Sequence, residues 1–371
     1  MSEKLRVAMP ALWGGAYGAD SYLRAFLPAI ERYGSRLELV VLVIGNKESL
    51  PAPRRNITYV RAPVPVWAGR HLRTLWEQHA LPRLLDRLAV DVVYTGRNVG
   101  VLRSPKPCVI AVCNMDPLVP KFGRETWTLR FNSALRGFLS RASIRAAKRV
   151  VAVSQYVKDV LVGMGTGASK IDVVYYGVDD VELVTDGGAS APHVAAASKF
   201  IRYANLTTLV RAYHRMRERG FTGDLRLAGG SLDRAYEGEV RKLVSDLGLA
   251  PRVRFLGYVP RGEVQGLLGA ATVVLHASRL EACPFTLLEA MRQGAPIVTT
   301  TAGPMPEICG DAALYANPDD AAGMGEAAYR IASSPELRSS LRERARARAA
   351  RFTWEDSVRR LSEALERAAR G

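Results

Sequence analysis

The sequence predicts an α/β protein with two doubly wound parallel sheets, each in a domain of its own. The chain has 371 residues, and a domain usually contains about 100–200 residues, so two domains are expected. Short apolar runs rich in Val, Ile and Leu lack in/out alternation, which is typical of strands buried on both faces of a parallel sheet. Longer amphipathic stretches separate these runs, and this alternation indicates βαβ units.

The apolar runs that we interpret as strands occur in both halves of the chain, so each half is expected to hold one sheet. Those in the first half are Leu5–Met9, Leu37–Ile44, Val92–Tyr94, Val109–Val112 and Val150–Val153. Those in the second half are Leu225–Ala228, Val253–Leu256, Thr272–His276 and Ile297–Thr300.

The boundary between the domains is expected near residues 176–198, where a polar stretch of small residues follows a strand-rich block. Such a composition is typical of a linker. We therefore predict an N-terminal domain over 1–180 and a C-terminal domain over 181–354. The last helix, about 355–371, carries an apolar stripe at Val358, Leu361 and Leu365. We expect this helix to pack back on the N-terminal domain.

The formal net charge of +16 is the unusual feature of the composition. Such an excess favours anionic partners, namely phosphates, nucleic acid or an anionic membrane surface. No basic run interleaved with aromatic residues resembles a nucleic-acid-binding module, so nucleic acid is not expected. No apolar run approaches the ~20 residues that cross a bilayer, and the N-terminal residues lack a signal-peptide pattern. A cytoplasmic enzyme is therefore the expectation.

Neither the cysteines nor the histidines predict a metal or catalytic site. The four cysteines lie far apart without metal-ligand spacing, so we interpret them as small buried hydrophobic residues; they are Cys108, Cys113, Cys283 and Cys309. The histidines are His71, His79, His193, His214 and His276. His276 ends a predicted strand, and we interpret it as a packing residue.

The most informative segment runs from Glu281 to Glu289. A loop, Ser278–Cys283, follows a predicted strand, and Pro284 suits the first position of a helix. Gly294 supplies a left-handed stop, and the next strand begins shortly afterwards. A loop that feeds a helix at the end of a parallel strand is where open α/β sheets bind ligands.

This segment suits a nucleotide sugar. Free N–H groups and the dipole at the helix start favour an anion such as a diphosphate. Glu281 before the helix and Glu289 inside it would accept charge-assisted hydrogen bonds from hydroxyls at the two ends of the ligand. The alternative is that both are solvated carboxylates, which an isolated motif of this kind often is.

The motif is not isolated. The string ASRLEACPFTLLEAMRQGAPIVTTTAGPMPEICGDAALY, residues 277–315, closely resembles retaining glycosyltransferases of family 4 (group 1), which have the GT-B fold of two Rossmann-like domains facing across a cleft. The segments VVAVSQYVKDVLV, KIDVVYYGVDD, VRFLGYVPRGEV and FTWEDSVRRL resemble further landmarks of that family. The resemblance covers nearly the whole chain and is strongest over 195–360.

The resemblance implies a role for each site residue. Glu281 would contact the donor sugar near the reacting carbon, and Glu289 would hold the ribose hydroxyls. Cys283 and Pro284 would lie at the same helix start, where Phe285, Thr286 and Leu287 would offer backbone amides to the distal phosphate. Tyr258 and Val259 would border the base, and Glu307 would help close the pocket wall. Chemistry without an essential metal or other cofactor is also implied.

The cations expected around the diphosphate are only partly present. The family places a basic residue after a strand and a lysine five positions later; Lys199 fills the first position, whereas the second holds Ala204. Arg202 would reach the same phosphate, or it is an ordinary surface arginine. Fixed cations offset the charge that builds on a departing nucleoside diphosphate, so the missing lysine predicts weaker activity.

The N-terminal half offers weaker candidates. Gly14 and Gly15 follow the first predicted strand, and glycines let the backbone approach a ligand closely. Many relatives carry a histidine near Cys113, whereas this chain resembles a subgroup with Asn-Met there. Asn114 would bond a sugar hydroxyl or cap a turn, and Asp116 would contact the acceptor or serve as a turn residue.

Two basic stretches rich in aromatic residues, 67–87 and 124–149, leave two interpretations open. In the second, Trp127, Phe131, Leu135 and Phe138 recur at helical spacing among arginines. This stripe is either core with a solvated basic face, or a surface that lies on an anionic membrane and brings a lipid-linked acceptor within reach.

The predicted function is retaining transfer of a sugar from a UDP- or GDP-sugar to a hydroxyl of a glycan, a lipid-linked molecule or a small molecule. An alternative from another class is a nucleotide-binding scaffold, or a partner subunit with weak catalysis, which Ala204 and the absent histidine favour. A third is a nucleotide-sugar epimerase, which the Glu281–Glu289 context argues against. Sequence alone does not name the sugar, base or acceptor.

Overall fold

The computed structural model describes residues 4–12, 17–44, 54–64, 70–119, 127–178 and 191–371. These residues form two compact units. The first comprises the described residues up to 119, residues 127–177 and residues 353–371, and the second comprises the described part of 178–352.

The first unit is built on a parallel sheet. Its strands are β1 (Leu5–Ala11), β2 (Leu37–Val43), β3 (Ile57–Arg61), β4 (Val92–Thr95), β5 (Cys108–Val112), β6 (Arg149–Ala152) and β7 (Ile171–Val173). Its helices are α1 (Tyr17–Tyr33), α2 (Arg70–His79), α3 (Leu81–Arg87), α4 (Trp127–Ala146), α5 (Gln155–Gly163) and α13 (Trp354–Ala369). The strand order is β3-β2-β1-β4-β5-β6-β7, so the direction of winding reverses between β1 and β4.

The second unit repeats this plan. Its strands are β8 (His193–Ala197), β9 (Asp224–Ala228), β10 (Val253–Gly257), β11 (Val273–Leu275), β12 (Ile297–Thr300) and β13 (Ala313–Ala316). Its helices are α6 (Leu206–Glu218), α7 (Arg234–Asp246), α8 (Arg261–Gly269), α9 (Phe285–Arg292), α10 (Met305–Cys309), α11 (Ala321–Ser333) and α12 (Pro335–Ala349). The order β10-β9-β8-β11-β12-β13 reverses between β8 and β11.

All nine predicted strands are present, and the predicted class of two doubly wound parallel sheets is confirmed. Three further strands, β3, β7 and β13, were not predicted, and β8 was implied only by the resemblance that places Lys199 after a strand. β8 reads His-Val-Ala-Ala-Ala, and alanine is a weak strand former, so the composition did not mark this central strand. Its pairing with β9 and β11 on both sides determines its conformation.

The C-terminal helix α13 packs within the first unit, against α1 and strands β4 to β7. Thr353 caps it by accepting a hydrogen bond from Asp356 N. A Cβ at Gly177 would lie 2.3 Å from Trp354 N, so only glycine permits the chain to pass so close to the helix start. Among the described residues, no helix combines the length and apolar character that a membrane span requires.

Candidate functional site

The residues with the sharpest predicted roles lie at the winding reversal of the second unit. Lys199 follows β8, and Glu281 follows β11, which is the neighbour of β8 in the sheet. Ligands of open α/β sheets bind at this kind of position, because loops from adjacent strands diverge there and leave a crevice. The structure therefore places Lys199 and Glu281 in loops at the carboxyl ends of two adjacent strands of one sheet.

The Glu281 carboxylate interacts with His276 and with Lys199. His276 Nε2 is 3.6 Å from Glu281 Oε1, and the charge of Glu281 acts on the Lys199 ammonium. Burial lowers the pKa of Lys199 below its usual value, and the negative charge of Glu281 counters part of that shift. The interpretation of His276 as a packing residue was incomplete, because its buried ring also contacts a predicted catalytic carboxylate.

The Lys199 loop is held by a glycine that the sequence analysis did not identify. A Cβ at Gly229 would lie 1.8 Å from Ser198 O, and the backbone of Gly229 has a φ of +147°. Gly229 N also donates to Gly257 O over 2.7 Å. The signal that was overlooked is the Gly-Gly pair directly after β9, which marks a close approach of two backbones.

Asn205 makes hydrogen bonds to loops that follow the carboxyl ends of the strands. The sequence analysis did not identify this residue either. Its backbone is left-handed, with a φ of 57°. Its side chain donates to Ala277 O over 3.1 Å and to Pro318 O over 2.7 Å, and it accepts from Thr208 Oγ1 and Arg279 Nη2. An asparagine directly before a helix is the sequence signal, because asparagine tolerates this conformation better than most residues.

A side-chain hydrogen bond joins the start of α9 to the end of β8. The Thr286 hydroxyl donates to Ala197 O over 3.3 Å. Leu287 N donates to Pro284 O over 3.1 Å, and the predicted contact of that amide with phosphate stays a prediction. Cys283 and Pro284 are buried and Phe285 is half-buried at this helix start.

The end of α9 follows the predicted glycine stop. Gly294 has a φ of 71°, and its N–H donates to Met291 O, while Ala295 N donates to Ala290 O. These two bonds satisfy carbonyls of the last turn. The helix that carries Glu289 is therefore short, and its C-terminal end is closed by these bonds.

Glu289 is buried on α9 and paired with Arg261 at the start of α8. Arg261 Nε lies 2.5 Å from Glu289 Oε1. Tyr258, before α8, is 65% exposed, and Val259 beside it is half-buried. Glu307 is half-buried on α10, and its backbone oxygen accepts a hydrogen bond from Arg348. The predicted contacts of these residues with ribose, base and pocket wall stay predictions.

Arg202 lies close to Lys199 in sequence but has anionic partners of its own. Its guanidinium donates to both carboxylate oxygens of Glu239, over 3.0 and 2.7 Å, and lies 3.5 Å from Asp233. These contacts raise the pKa of Arg202, with the Glu239 hydrogen bond as the main cause. This pairing fits the surface-arginine alternative, and the predicted phosphate contact stays a prediction. Ala204, in the place of the expected lysine, is buried in the core.

In the first unit, Asn98 organises the loop that carries Asn114. Asn98 Oδ1 accepts from Cys113 N and Asn114 N, each over 3.1 Å, and Nδ2 donates to Asn114 O over 2.5 Å. Asn114 is exposed and its Oδ1 accepts from Asp116 N, so the turn-capping alternative is present in the structure. Asp116 lies 3.3 Å from Arg136. Gly14 and Gly15 lie outside the described residues.

The buried side chains in the described part of α4 include three serines and Ile144. Ser133, Ser140 and Ser143 are buried, whereas Phe138 is 67% exposed and Leu135 is 36% exposed. For these two members of the apolar stripe, the interpretation as core is wrong. The side chains of Trp127 and Phe131 lie outside the described part of the structure.

Neither unit presents a metal site in the part of the chain that the structure describes, where no group of three or more His, Cys, Asp or Glu side chains is placed to hold an ion.

Two family profiles match the chain. "Glycosyltransferase Family 4" matches residues 18–182 and "Glycosyl transferases group 1" matches residues 190–348. The O-antigen chain mannosyltransferase B of Escherichia coli is 33% identical over 28% of this chain and 27% of its own length. The mannosylfructose-phosphate synthase of Agrobacterium fabrum is 24% identical over 83% of this chain and 73% of its own length.

Solved structures share the fold over almost the whole chain. Sucrose-phosphate synthase from Thermosynechococcus elongatus has a TM-score of 0.76 at 17% identity, covering 98% of this chain and 99% of its own. Anabaena HepE in complex with UDP-glucose has a TM-score of 0.76 at 18% identity, covering 98% and 100%. With both profiles matched in succession, the chain belongs to the group 1, family 4 type of glycosyltransferases with the GT-B fold.

Proposed function

We propose that the protein transfers a sugar, with retention of anomeric configuration, from a UDP- or GDP-sugar to a hydroxyl group. The observation that supports this proposal is that Lys199 and Glu281 follow β8 and β11, the two adjacent strands at the winding reversal of the second sheet. The similar proteins support the class of donor. HepE has been solved with UDP-glucose, and several curated relatives are mannosyltransferases.

The diphosphate, the ribose and the base of the donor would contact three different regions of the second unit. The diphosphate would lie at the Lys199 ammonium and the first turn of α9, where a cation and a helix N-terminus both favour negative charge. The ribose hydroxyls would donate to Glu289, and the base would lie near Tyr258 and Val259. No metal is required in this arrangement, because protein groups supply the positive charge.

The transfer step breaks the bond between the anomeric carbon and the diphosphate oxygen. The acceptor oxygen forms a bond to the same face of that carbon, and its proton passes to the leaving phosphate. Lys199 offsets the charge on the departing diphosphate. The Glu281 carboxylate stabilises the positive charge on the sugar and forms no covalent bond.

The first experiment is a calorimetric titration of UDP and GDP into the wild-type chain and Glu289→Ala. We expect one nucleotide to bind and the variant to weaken it by about tenfold or more, since each lost hydrogen bond to a charged group is worth about 1.5–3 kcal/mol. Glu239→Ala, which removes the carboxylate paired with Arg202, serves as a control and should leave the affinity unchanged. Equal affinity in wild type and Glu289→Ala would remove the support for the donor site.

A catalytically weak scaffold is the second candidate, and the specific observation in its favour is Ala204. This residue is buried where the family resemblance places a lysine. Turnover by the purified chain without a partner separates the two proposals. Steady release of nucleotide with an acceptor hydroxyl supports the transferase, whereas tight nucleotide binding without turnover supports the scaffold.

We also propose that the protein acts in the cytoplasm and contacts anionic membranes through α4. Phe138 is 67% exposed, and Arg141 and Arg145 on the same helix are exposed as well. Apolar side chains flanked by arginines suit a bilayer interface with anionic headgroups. Co-sedimentation with phosphatidylglycerol vesicles should fall in Phe138→Ser and not in Leu232→Ser, a control at another exposed apolar residue. Equal binding of both variants would contradict this contact.

A further inference from the structure

His276 lies between two side chains from different loops and strands of the second unit. Its ring is buried, and its backbone N–H donates to Val298 O over 3.0 Å, which fixes the residue at the end of β11. Nδ1 lies 3.2 Å from the hydroxyl of Thr299, a fully buried residue on β12. Nε2 faces Glu281 Oε1 at 3.6 Å.

The chemistry of these partners determines which ring nitrogen carries the hydrogen. A carboxylate oxygen only accepts, so a hydrogen on Nε2 is favourable and a lone pair there is not. The Thr299 hydroxyl both donates and accepts. It donates to Nδ1 of a neutral ring and accepts from Nδ1 of a charged one. Thr299 therefore supports a donor at Nε2 in both protonation states.

The loop between His276 and Glu281 is fixed by the same strand. The Thr300 hydroxyl donates to Ser278 O over 2.7 Å. The Ser278 hydroxyl contacts Leu280 O at 3.1 Å, so the residues before Glu281 have little freedom. With the backbone held in this way, the direction of the Glu281 carboxylate depends on what its oxygens meet.

We infer that His276 is a positioning residue that orients the Glu281 carboxylate toward the donor sugar, with Thr299 keeping the hydrogen on Nε2. This inference rests on the proposed role of Glu281. A separation of 3.6 Å is long for a hydrogen bond, and contacts of this type in ligand-free sites shorten when the reacting complex forms.

The test compares His276→Leu with His276→Gln, whose amide nitrogen reaches the position of Nε2. Each variant is assayed for release of UDP from UDP-glucose and GDP from GDP-mannose, and for nucleotide affinity by calorimetry. We expect His276→Leu to lower kcat about 10- to 100-fold, since small misplacements of a reacting group cost this much. The donor KM and the nucleotide Kd should change less than about twofold, because the diphosphate and ribose contacts remain. His276→Gln should recover most of kcat.

A double variant shows whether the effect passes through Glu281. In a Glu281→Gln background, adding His276→Leu should cause no further loss, because residues that act as a unit are not additive. A further loss equal to that in the wild-type background would overturn the inference. The inference would also be overturned if His276→Leu had a normal kcat while Glu281→Gln had a lowered kcat. That result would leave the proposed function in place. An unimpaired Glu281→Gln would instead remove the proposed function.

Thr299→Val provides the test if His276→Leu does not fold. Valine has nearly the shape of threonine, so the variant removes the hydroxyl with little change in packing volume. Thr299→Val should lower kcat without changing the nucleotide Kd. Thr299→Ser keeps the hydroxyl and should have a kcat near that of the wild type. Identical kcat in wild type and Thr299→Val would contradict the proposed arrangement of the ring hydrogen.

Discussion

Arg261 and Glu289 form an ion pair in which Arg261 Nε lies 2.5 Å from Glu289 Oε1. The carboxylate is buried and the guanidinium is one quarter exposed. The residue proposed to bind ribose therefore already has a charged partner. That partner holds the carboxylate in place, and it also competes with the ribose hydroxyls for the same oxygen.

Replacing Arg261 with Met should destabilise the protein by about 1–3 kcal/mol, because a buried carboxylate loses a charged partner. Nucleotide should then stabilise the variant more than the wild type, since ribose hydroxyls fill the vacated acceptor. Thermal unfolding with and without UDP and GDP measures both effects. Lys242→Met breaks the exposed pair with Asp246 and should change neither value. A smaller nucleotide-induced shift in Arg261→Met would contradict the competition.

Gly229→Ala should abolish donor cleavage, because its Cβ would lie 1.8 Å from Ser198 O and would displace the Lys199 loop. The matched control is Gly238→Ala on the exposed face of α7, where a Cβ meets nothing within 4 Å. That control should raise stability by up to about 1 kcal/mol and leave activity unchanged. Nucleotide release and urea unfolding distinguish the two variants. Normal activity in Gly229→Ala would mean that the loop tolerates the displacement.

How much of the fold the sequence predicts depends on the kind of signal that each element carries. The nine predicted strands are rich in Val, Ile and Leu, and their positions follow from these runs. β8 and β13 are rich in alanine, and β7 has only three residues. Their conformation depends on pairing with neighbouring strands, which local composition does not show.

The candidate site divides in the same way. Glu281 and Glu289 were identified from local spacing together with a family resemblance. The contacts of His276, Arg261 and Asn205 join residues that are 23, 28 and 72 positions apart, respectively. Such contacts exist only after the sheet has brought the loops together, so the sequence marked these residues weakly or not at all.

Asn205 should stabilise the protein both through its side-chain hydrogen bonds and through its tolerance of a left-handed backbone. Asn205→Gly keeps the left-handed backbone and loses the side-chain bonds to Ala277 O and Pro318 O, which we expect to cost about 1–3 kcal/mol. Asn205→Ala loses the same bonds and adds about 1 kcal/mol or more of backbone strain. The free energy of unfolding in urea measures the difference. Equal stability of the two variants would show that the backbone contributes nothing.

Cys113 should react slowly with thiol reagents at pH 8. Burial raises the pKa of the Cys113 thiol to about 11, although a hydrogen bond with Tyr176 lowers it in part. At pH 8 the thiolate fraction is then about one in a thousand, and the thiolate is the reactive form. Burial likewise raises the pKa of Cys108 and of Cys309 to about 12.

The rate of labelling by an aromatic disulfide reagent should therefore rise about tenfold per pH unit from pH 8 to 10. The rate for free cysteine should instead level off near its usual pKa of about 8.5. Mass spectrometry of the labelled protein identifies the modified thiol. Protein unfolded in urea serves as the control and should react as free cysteine does, because the burial that raises the pKa is gone. Labelling of native Cys113 at the free-cysteine rate at pH 8 would show that its thiol is not held in a desolvated environment.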